Sequence, residues 1–474
     1  MIDLSLFTRQ PVAVMGLARS GLAAARALAA GGAEVRAWDD GEAGRKAAHE
    51  AGLPLADLSE RENWSGVHTL VLSPGIPHSY PAPHVSATRA RDAGAEIVGD
   101  IELLIRACPD ARYVAITGTN GKSTTTALLG HILREAGCKV EVGGNIGRPA
   151  MEFAPLGKEG SYVLELSSYQ LELVPSLACD VAVLINIAPD HLDRHGGMQG
   201  YVAAKRRIFE GQPRGATAIV GVDDEDSRKI FEELSATSGE TGVRVIGISA
   251  LEPIPGGVFA LDRVLYDDMD GEAREVMPLA GVETLPGNHN AQNAAAAYAA
   301  ARAICLKSPT IIDGIRSFPG LPHRLQLIDK IEGISYINDS KATNAEAAAR
   351  ALASYENIYW IAGGRAKEGG LTALDPYLPH VRKAFLIGEA ADQMAAELRG
   401  RVETEISGDL ESAIRDARDA ALRDGNAGAV VLLSPACASF DQFKDFEHRG
   451  IEFQRLVAEL PRGSLRDFKR GETA

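Results

Sequence analysis

The chain has 474 residues, and at roughly 150 residues per domain this suggests about three domains, each long enough to bury its own core. Its 49 Lys and Arg against 64 Asp and Glu leave a formal charge of −15, which excludes a surface built to neutralise a nucleic-acid backbone or an anionic membrane and leaves open only a local anion site. Hydrophobic residues at 45% and charged residues at 24% exclude disordered or fibrous composition.

The cysteines, Cys108, Cys138, Cys179, Cys305 and Cys437, are dispersed, odd in number and form no CxxC pair. That disfavours a disulfide framework or a zinc ribbon and points to a reducing, cytoplasmic setting. The opening MIDLSLFTRQPVAV has an acid at position 3 and no basic segment followed by a long apolar one, and no apolar run reaches about 18 residues. Neither a signal peptide nor membrane insertion is expected.

In chain order, three stretches each begin with a short β-branched run, continue into a glycine loop and enter an alanine- or leucine-rich helical pattern, as α/β units do. The first opens with PVAVMG, continues through the helix LARSGLAAARALAAGG to the strand AEVRAWDD, and includes HTLVLSPG. Its loop Gly16-Leu17-Ala18-Arg19-Ser20-Gly21 is close to a dinucleotide loop, with Asp39 about 20 residues on, but Ala18 replaces the central glycine. Two readings stay open: a plain tight turn, or a diphosphate on the helix N-terminus with Arg19 and Ser20 as donors and Asp39 or Asp40 taking hydroxyl or ring N–H groups.

The second unit opens with YVAITG and runs into Gly118-Thr119-Asn120-Gly121-Lys122-Ser123-Thr124, directly between a strand and the helix TTALLGHILREAG. Glycines let backbone N–H groups turn toward phosphate, the helix N-terminus adds positive charge, Lys122 reaches terminal phosphates and Ser123 can ligate magnesium. Ile116 stands where the usual GxxxxGK[ST] pattern has its first glycine. The strands SYVLELSS and DVAVLINIAP are apolar on both faces, as in a covered parallel sheet. Glu165 ends the first of them, a suitable place for a magnesium ligand. His191 and His195 are spaced i, i+4 and could share a helical face as zinc ligands, although no third zinc ligand stands at a telling spacing; solvated or capping histidines are the alternative. Lys205 reads locally as one cation on a basic helix face.

After FPGLPHR, a linker pattern near Phe318, the third unit carries the strands ISYIND, NIYWIAGG, KAFLIG and AVVLLSP. The segments Asn338 to Asn344, Gly363 to Lys367 and Ser434 to Ser439 follow three of these strands and set polar groups along one sheet edge, where ligands bind in open α/β domains and where caps and turns also occur. Cys437, beside no histidine, reads as a buried small residue rather than a nucleophile.

Together, TGTNGKST, LELSSYQL, DHLDRH, YVAAK, NHNAQNA, GLPHR, NDSKATN and SPACASFDQFKDFEHRG resemble the Mur ligases of peptidoglycan synthesis over nearly the whole chain, and SPACASFDQFKDFEHRG resembles their D-glutamate-adding branch. The resemblance implies an α/β protein of three domains. These are an N-terminal Rossmann-like UDP-binding domain (1–109), a central P-loop ATPase-like parallel-sheet domain that binds ATP (110–318) and a C-terminal Rossmann-like α/β domain that binds the amino acid (319–474). It implies an ATP-dependent ligase that joins D-glutamate to UDP-N-acetylmuramoyl-L-alanine through an acyl phosphate, as a cytoplasmic monomer.

The same resemblance assigns residues. Arg19, Ser20, Gly21, Asp39, Asp40, Ser73, Gly75 and Asn145 would face the UDP substrate. Gly118 to Thr124, with Asn293, Arg324 and Asp339, would face ATP. Two magnesium ions would draw on Ser123, Glu165, His191 and Lys205, the lysine carbamylated and so turned from a cation into an oxygen ligand; Lys122 would hold phosphates, and His191 or a neighbouring base would take the amine proton. Lys341, Thr343, Lys367, Ser439 and Phe446 would receive D-glutamate. One departure concerns Lys367: the family often has Asp just before it, whereas Arg365 and Ala366 stand there, with Glu368 as a possible substitute. A folylpolyglutamate synthase would have no reason for a UDP domain at the N-terminus, a nucleotide-binding regulatory switch leaves three polar sheet edges unexplained, and an NAD-dependent oxidoreductase built on the first loop is disfavoured by Ala18 in place of the middle glycine.

Overall fold

The structure, a computed structural model, describes residues 1–366 and 370–461. It holds three sheets, each with helices packed on it. The first has β1 (Pro11–Met15), β2 (Glu34–Trp38), β3 (Thr69–Leu72) and β4 (Glu96–Val98), parallel in the order β2-β1-β3-β4. The second has β5 (Arg112–Thr117), β6 (Lys139–Gly144), β7 (Gly160–Glu165), β8 (Val181–Leu184), β9 (Thr217–Gly221), β10 (Arg244–Ser249), β11 (Val258–Leu261), β12 (Val264–Asp267) and β13 (Arg274–Pro278). Their order is β13-β12-β11-β10-β9-β8-β5-β7-β6, parallel up to the antiparallel β11-β12-β13 edge. The third has β14 (Gln326–Ile331), β15 (Ile334–Asn338), β16 (Ile358–Gly363), β17 (Val381–Ile387), β18 (Thr404–Gly408) and β19 (Val430–Leu433), in the order β14-β15-β19-β16-β17-β18, with β14 alone antiparallel to its neighbour.

The apolar strands behave as their sequences require. All six residues of β7 and all four of β8 are buried, because helices cover both faces of a parallel sheet. The strands that sequence reading passed over lie toward edges: β14 and β18 are mostly half-exposed, and so present no continuous apolar run. The hairpin β11–β12 turns at Asp262 and Arg263, both at positive φ (47° and 60°).

Two compact units result. One comprises Met1–Gly281 with Asn288–Phe318 and contains the first two sheets; the other comprises Val282–Gly287 with the described residues from Pro319 onward and contains the third. In the second sheet the strand order reverses at β5, with β7 and β6 on one side and β8 onward on the other. Such a reversal opens a crevice beyond the carboxyl end of the strand. In the first sheet β1 has the same place, between β2 and β3. No helix among the described residues is long and apolar enough to cross a membrane.

Candidate active site

The loop after β5 enters the helix Lys122–Glu135 through Gly118 (φ 152°) and Gly121 (φ 85°). Gly121 is also a close approach: a Cβ there would stand 2.1 Å from the side-chain oxygen of Asn293. Asn293 is itself buried beneath the loop, its Nδ2 donating to Asn290 Oδ1 at 2.9 Å. Thr119 and Asn120 turn their N–H groups inward, onto the carbonyl and the side-chain oxygen of Asn186 (both 2.9 Å). Gly121 caps the helix Lys122–Glu135, whose first turn carries Lys122, Ser123 and Thr124. Lys122 Nζ folds over the loop and donates to the carbonyls of Gly118 (2.8 Å) and Thr119 (3.0 Å).

Lys205, on the helix Met198–Arg206, is buried and donates to the same Gly118 carbonyl at 2.8 Å. Burial first, and then the charge of Lys122, hold its amine down to about 7, against the pull of Asp190 and Glu165. The local reading of Lys205 as one cation on a basic helix face is corrected: this lysine is 1% exposed.

Glu165 ends β7, in register with Ile116 of β5, and is 1% exposed. Its Oε1 accepts from Asn145 Nδ2 at 2.8 Å, while Oε2 is buried with no hydrogen-bond partner. Buried carboxylate oxygens are rarely left this way, and each such case asks for an explanation. Asn145 is held in turn by its N–H to the Glu165 carbonyl at 2.9 Å.

His191 stands at the N-cap of Leu192–His195 with φ 50°, half-exposed, against Asp190 (3.4 Å) and the Tyr169 ring (5.1 Å between centroids). His195 is buried and differently engaged: Nδ1 meets Glu172 Oε1 at 3.0 Å and Nε2 meets Ser168 Oγ at 2.9 Å. The i, i+4 zinc pair is therefore not formed, because both ring nitrogens of His195 are occupied by side chains that His191 does not touch. Among the described residues no three His, Cys, Asp or Glu group as a metal site by themselves. Glu172 also accepts from His78 at 3.0 Å. Burial raises its carboxyl pKa, but the two histidines outweigh that and hold it at about 2.

At the first sheet, Gly21 packs so tightly that a Cβ would meet the Gly16 carbonyl at 1.8 Å. Ser73 Oγ donates to that carbonyl at 2.9 Å. Arg19 reaches the Gly147 carbonyl (3.2 Å), Ser20 lies in the first turn of Arg19–Ala30, and Gly75 is exposed in the loop after β3. Asp39 spends both oxygens on backbone, accepting from Leu17 N (2.5 Å) and Gly41 N (2.7 Å). Asp40 instead meets His84 Nε2 at 2.9 Å and lines a cavity of about 210 Å³ with Trp38, Arg45, Asp57 and His84.

In the second unit, Asp339 is buried, accepts from Ser434 Oγ (2.8 Å) and Leu325 N (3.2 Å), and has its pKa pushed up to about 7 by burial despite those bonds and the nearby Arg324. Lys341 Nζ lies 5.4 Å from the centre of the Phe446 ring; Ser439 is buried and Thr343 half-buried. Lys367 and Glu368 lie outside the described residues. Arg365 turns to Glu389 in a bidentate pair (both 3.0 Å).

Sequence reading missed Arg449. Fully buried, it donates to Ser340 Oγ and O (3.0 and 2.9 Å) and to the Cys437 carbonyl (3.2 Å), tying together the loops after β15 and β19. The signal was present: Phe446, Arg449, Gly450 and Phe453 are spaced as one helix face, and three of the four are buried.

The chain is similar to known proteins over nearly its whole length. Residues 116–301 match the Mur ligase middle domain and residues 323–437 the Mur ligase, glutamate ligase domain. The chain is 52% identical to the UDP-N-acetylmuramoylalanine–D-glutamate ligase of Rhodospirillum rubrum, over 97% of each chain. It is 51% identical to that of Phenylobacterium zucineum, over 98% of this chain and 99% of the relative. Its fold is similar to that of the UDP-N-acetylmuramate-alanine ligase from Thermotoga maritima, with a TM-score of 0.56, 16% identity, and 95% and 99% of the two chains covered.

Proposed function

The chain belongs to the Mur ligase family, and we propose that it is the member that joins D-glutamate to UDP-N-acetylmuramoyl-L-alanine at the cost of ATP, as a cytoplasmic monomer with one domain per substrate (1–109, 110–318 and 319–474). The observation that carries the reading is the phosphate loop Gly118 to Thr124 beside a buried carboxylate oxygen, Glu165 Oε2, that nothing in the protein satisfies.

A carboxylate is a poor electrophile. Its oxygen attacks the γ-phosphorus of ATP, the bond to the β-phosphate oxygen breaks, and ADP leaves an acyl phosphate. The glutamate amine attacks that carbonyl carbon, and the tetrahedral intermediate collapses to amide and inorganic phosphate. Lys122 and the first-turn N–H groups of Lys122–Glu135 hold the phosphates and offset the repulsion between two anions. The half-exposed His191 is suited to take the proton the ammonium must lose.

The unpartnered Glu165 oxygen fits a divalent cation, and so does a lysine whose amine is held near neutral, since the neutral amine is the form that adds carbon dioxide. Ser123, Glu165, His191 and a carbamylated Lys205 would hold two magnesium ions. The ions would supply positive charge to the phosphates. For the UDP substrate, Arg19, Ser20 and Gly21 serve the diphosphate and Asp40 the base; the exposed Gly75, with Ser73 and Asn145, completes that side. Of the residues facing ATP, Asn293 serves the adenine, Arg324 a phosphate and Asp339 the ribose. Lys341, Thr343, Lys367, Ser439 and Phe446 take D-glutamate.

The test is phosphate release that needs UDP-N-acetylmuramoyl-L-alanine and D-glutamate together. ATP hydrolysis indifferent to either one sinks the proposal. Lys122→Ala should lower turnover by about a thousandfold while leaving UDP-substrate binding intact.

A further inference from the structure

Asn186 receives two consecutive N–H groups of the phosphate loop and therefore sets how that loop is presented; what sets Asn186 lies further away. Its Nδ2 donates to Gln292 Oε1 at 3.2 Å, and Gln292 Nε2 donates to Asp223 Oδ2 at 3.0 Å. Asp223 follows β9, and the chain continues to the loop after β10. There Ala250 N donates to Asp223 Oδ2 (2.8 Å) and Ser249 Oγ to Oδ1 (2.5 Å), while the Ser249 oxygen accepts from Leu251 N and Glu252 N (both 3.0 Å).

The direction of every bond in this chain is forced. An N–H can only donate, so the two backbone groups fill the lone pairs of Ser249 and send its proton to Asp223. A carboxylate can only accept, so Gln292 must turn its NH2 toward Asp223 and its oxygen toward Asn186. Asn186 must then turn its own NH2 toward Gln292 and its oxygen toward the N–H of Asn120. Reversing either amide would set donor against donor or acceptor against acceptor at two contacts. Glycine at 221 makes room for the arrangement: a Cβ there would stand 1.8 Å from the Ile185 carbonyl and 3.2 Å from Gln292 Nε2.

We propose that Asp223, acting through Gln292 and Asn186, is a positioning residue for the ATP phosphate loop: it fixes the polarity of a hydrogen-bond relay that holds the Asn120 N–H inward and so sets how the loop is presented to the phosphates. This rests on the reading of Gly118 to Thr124 as an ATP site. The relay predicts a specific rescue. Asp223→Asn puts an NH2 into a site that needs only acceptors, and Gln292→Glu sets carboxylate against carboxylate. In the double variant the contact between the two positions is restored in reverse. The amide introduced at 223 donates to the carboxylate introduced at 292, whose other oxygen still accepts from Asn186. Only the Ala250 N–H loses its acceptor, so the rescue is partial.

The experiment measures KM for ATP and for the UDP substrate, kcat, and calorimetric binding of a non-hydrolysable ATP analogue. Each single substitution should raise KM for ATP and weaken the analogue about tenfold, the size of one lost hydrogen bond, with KM for the UDP substrate unchanged. The double variant should regain at least about threefold of that loss, a coupling that independent packing defects do not give. Simple addition of the two losses, or single variants with the original KM for ATP, overturns the relay. If Asp223→Asn does not fold, Gln292→Glu alone decides, since it keeps the acceptors that Ser249 and Ala250 need. Failure of the unsubstituted protein to bind the analogue would reject the ATP-site reading itself, and the relay with it.

Discussion

Two carboxylates at strand ends, Glu165 closing β7 and Asp39 just after β2, hold similar places in the first two sheets and have opposite states. Asp39 accepts from two backbone N–H groups, that of Leu17 in the glycine loop after β1 and that of Gly41 in its own loop after β2. Glu165 is more deeply buried, yet one of its oxygens has no hydrogen-bond partner in the protein. A satisfied carboxylate stabilises its own loop, whereas a buried one without a hydrogen-bond partner destabilises the fold and is retained only if something else completes it. The first braces its loop; the second is the group that the proposed magnesium site would complete.

The comparison breaks most sharply on Glu165→Gln. The glutamine oxygen can still accept from Asn145, and the buried charge is removed. Turnover should fall by at least about a hundredfold, while the midpoint of thermal unfolding stays level or rises. A clear drop in unfolding temperature would mean that the Glu165 charge is already satisfied in the protein alone, and the contrast with Asp39 would disappear.

Asp39→Ala should do the reverse. Losing an acceptor for two N–H groups is expected to lower stability by about 2–3 kcal/mol, read from urea unfolding, with kcat at saturating UDP substrate much less affected than in Glu165→Gln. If the stability is unchanged and only the KM for the UDP substrate rises, Asp39 is a ligand contact rather than a brace.

What could be read from the sequence follows the same division. The loop Gly118 to Thr124 was legible because glycine, lysine and serine perform their chemistry within seven consecutive residues. Glu165 was legible because an apolar strand announces where its end must lie. The partners of each were not. Asp39 carries no mark that Leu17 and Gly41 will take both its oxygens, and Glu172, His78 and His195 meet across more than a hundred residues of chain. Arg449 showed only as a charge on an otherwise apolar helix face, and the short Asp223-Gln292-Asn186 chain exists only once β8, β9 and the helix Asn288–Ala303 are assembled. Local chemistry survives in sequence; polarity handed from one element to another does not.

The smallest expected effect concerns the lysine beside Glu165. With its pKa held to about 7 in the folded protein against an ordinary 10.5, Lys205 is protonated in both states below about pH 7 and deprotonated in both well above 10.5. Between these limits the unfolded chain carries a proton that the folded protein has released, so stability rises with pH across that window. The cost of burying the ammonium, made larger by Lys122, is what is relieved. In buffer free of bicarbonate, which would otherwise convert the neutral amine, urea unfolding of the unsubstituted protein should gain stability from pH 7 to pH 9 relative to Lys205→Met, in which that titration is gone. Parallel profiles would show that Lys205 keeps an ordinary charge despite its burial, and that Asp190 and Glu165 satisfy it. Glu165 would then be partnered by this ammonium, and the difference from Asp39 would be one of partner rather than of state.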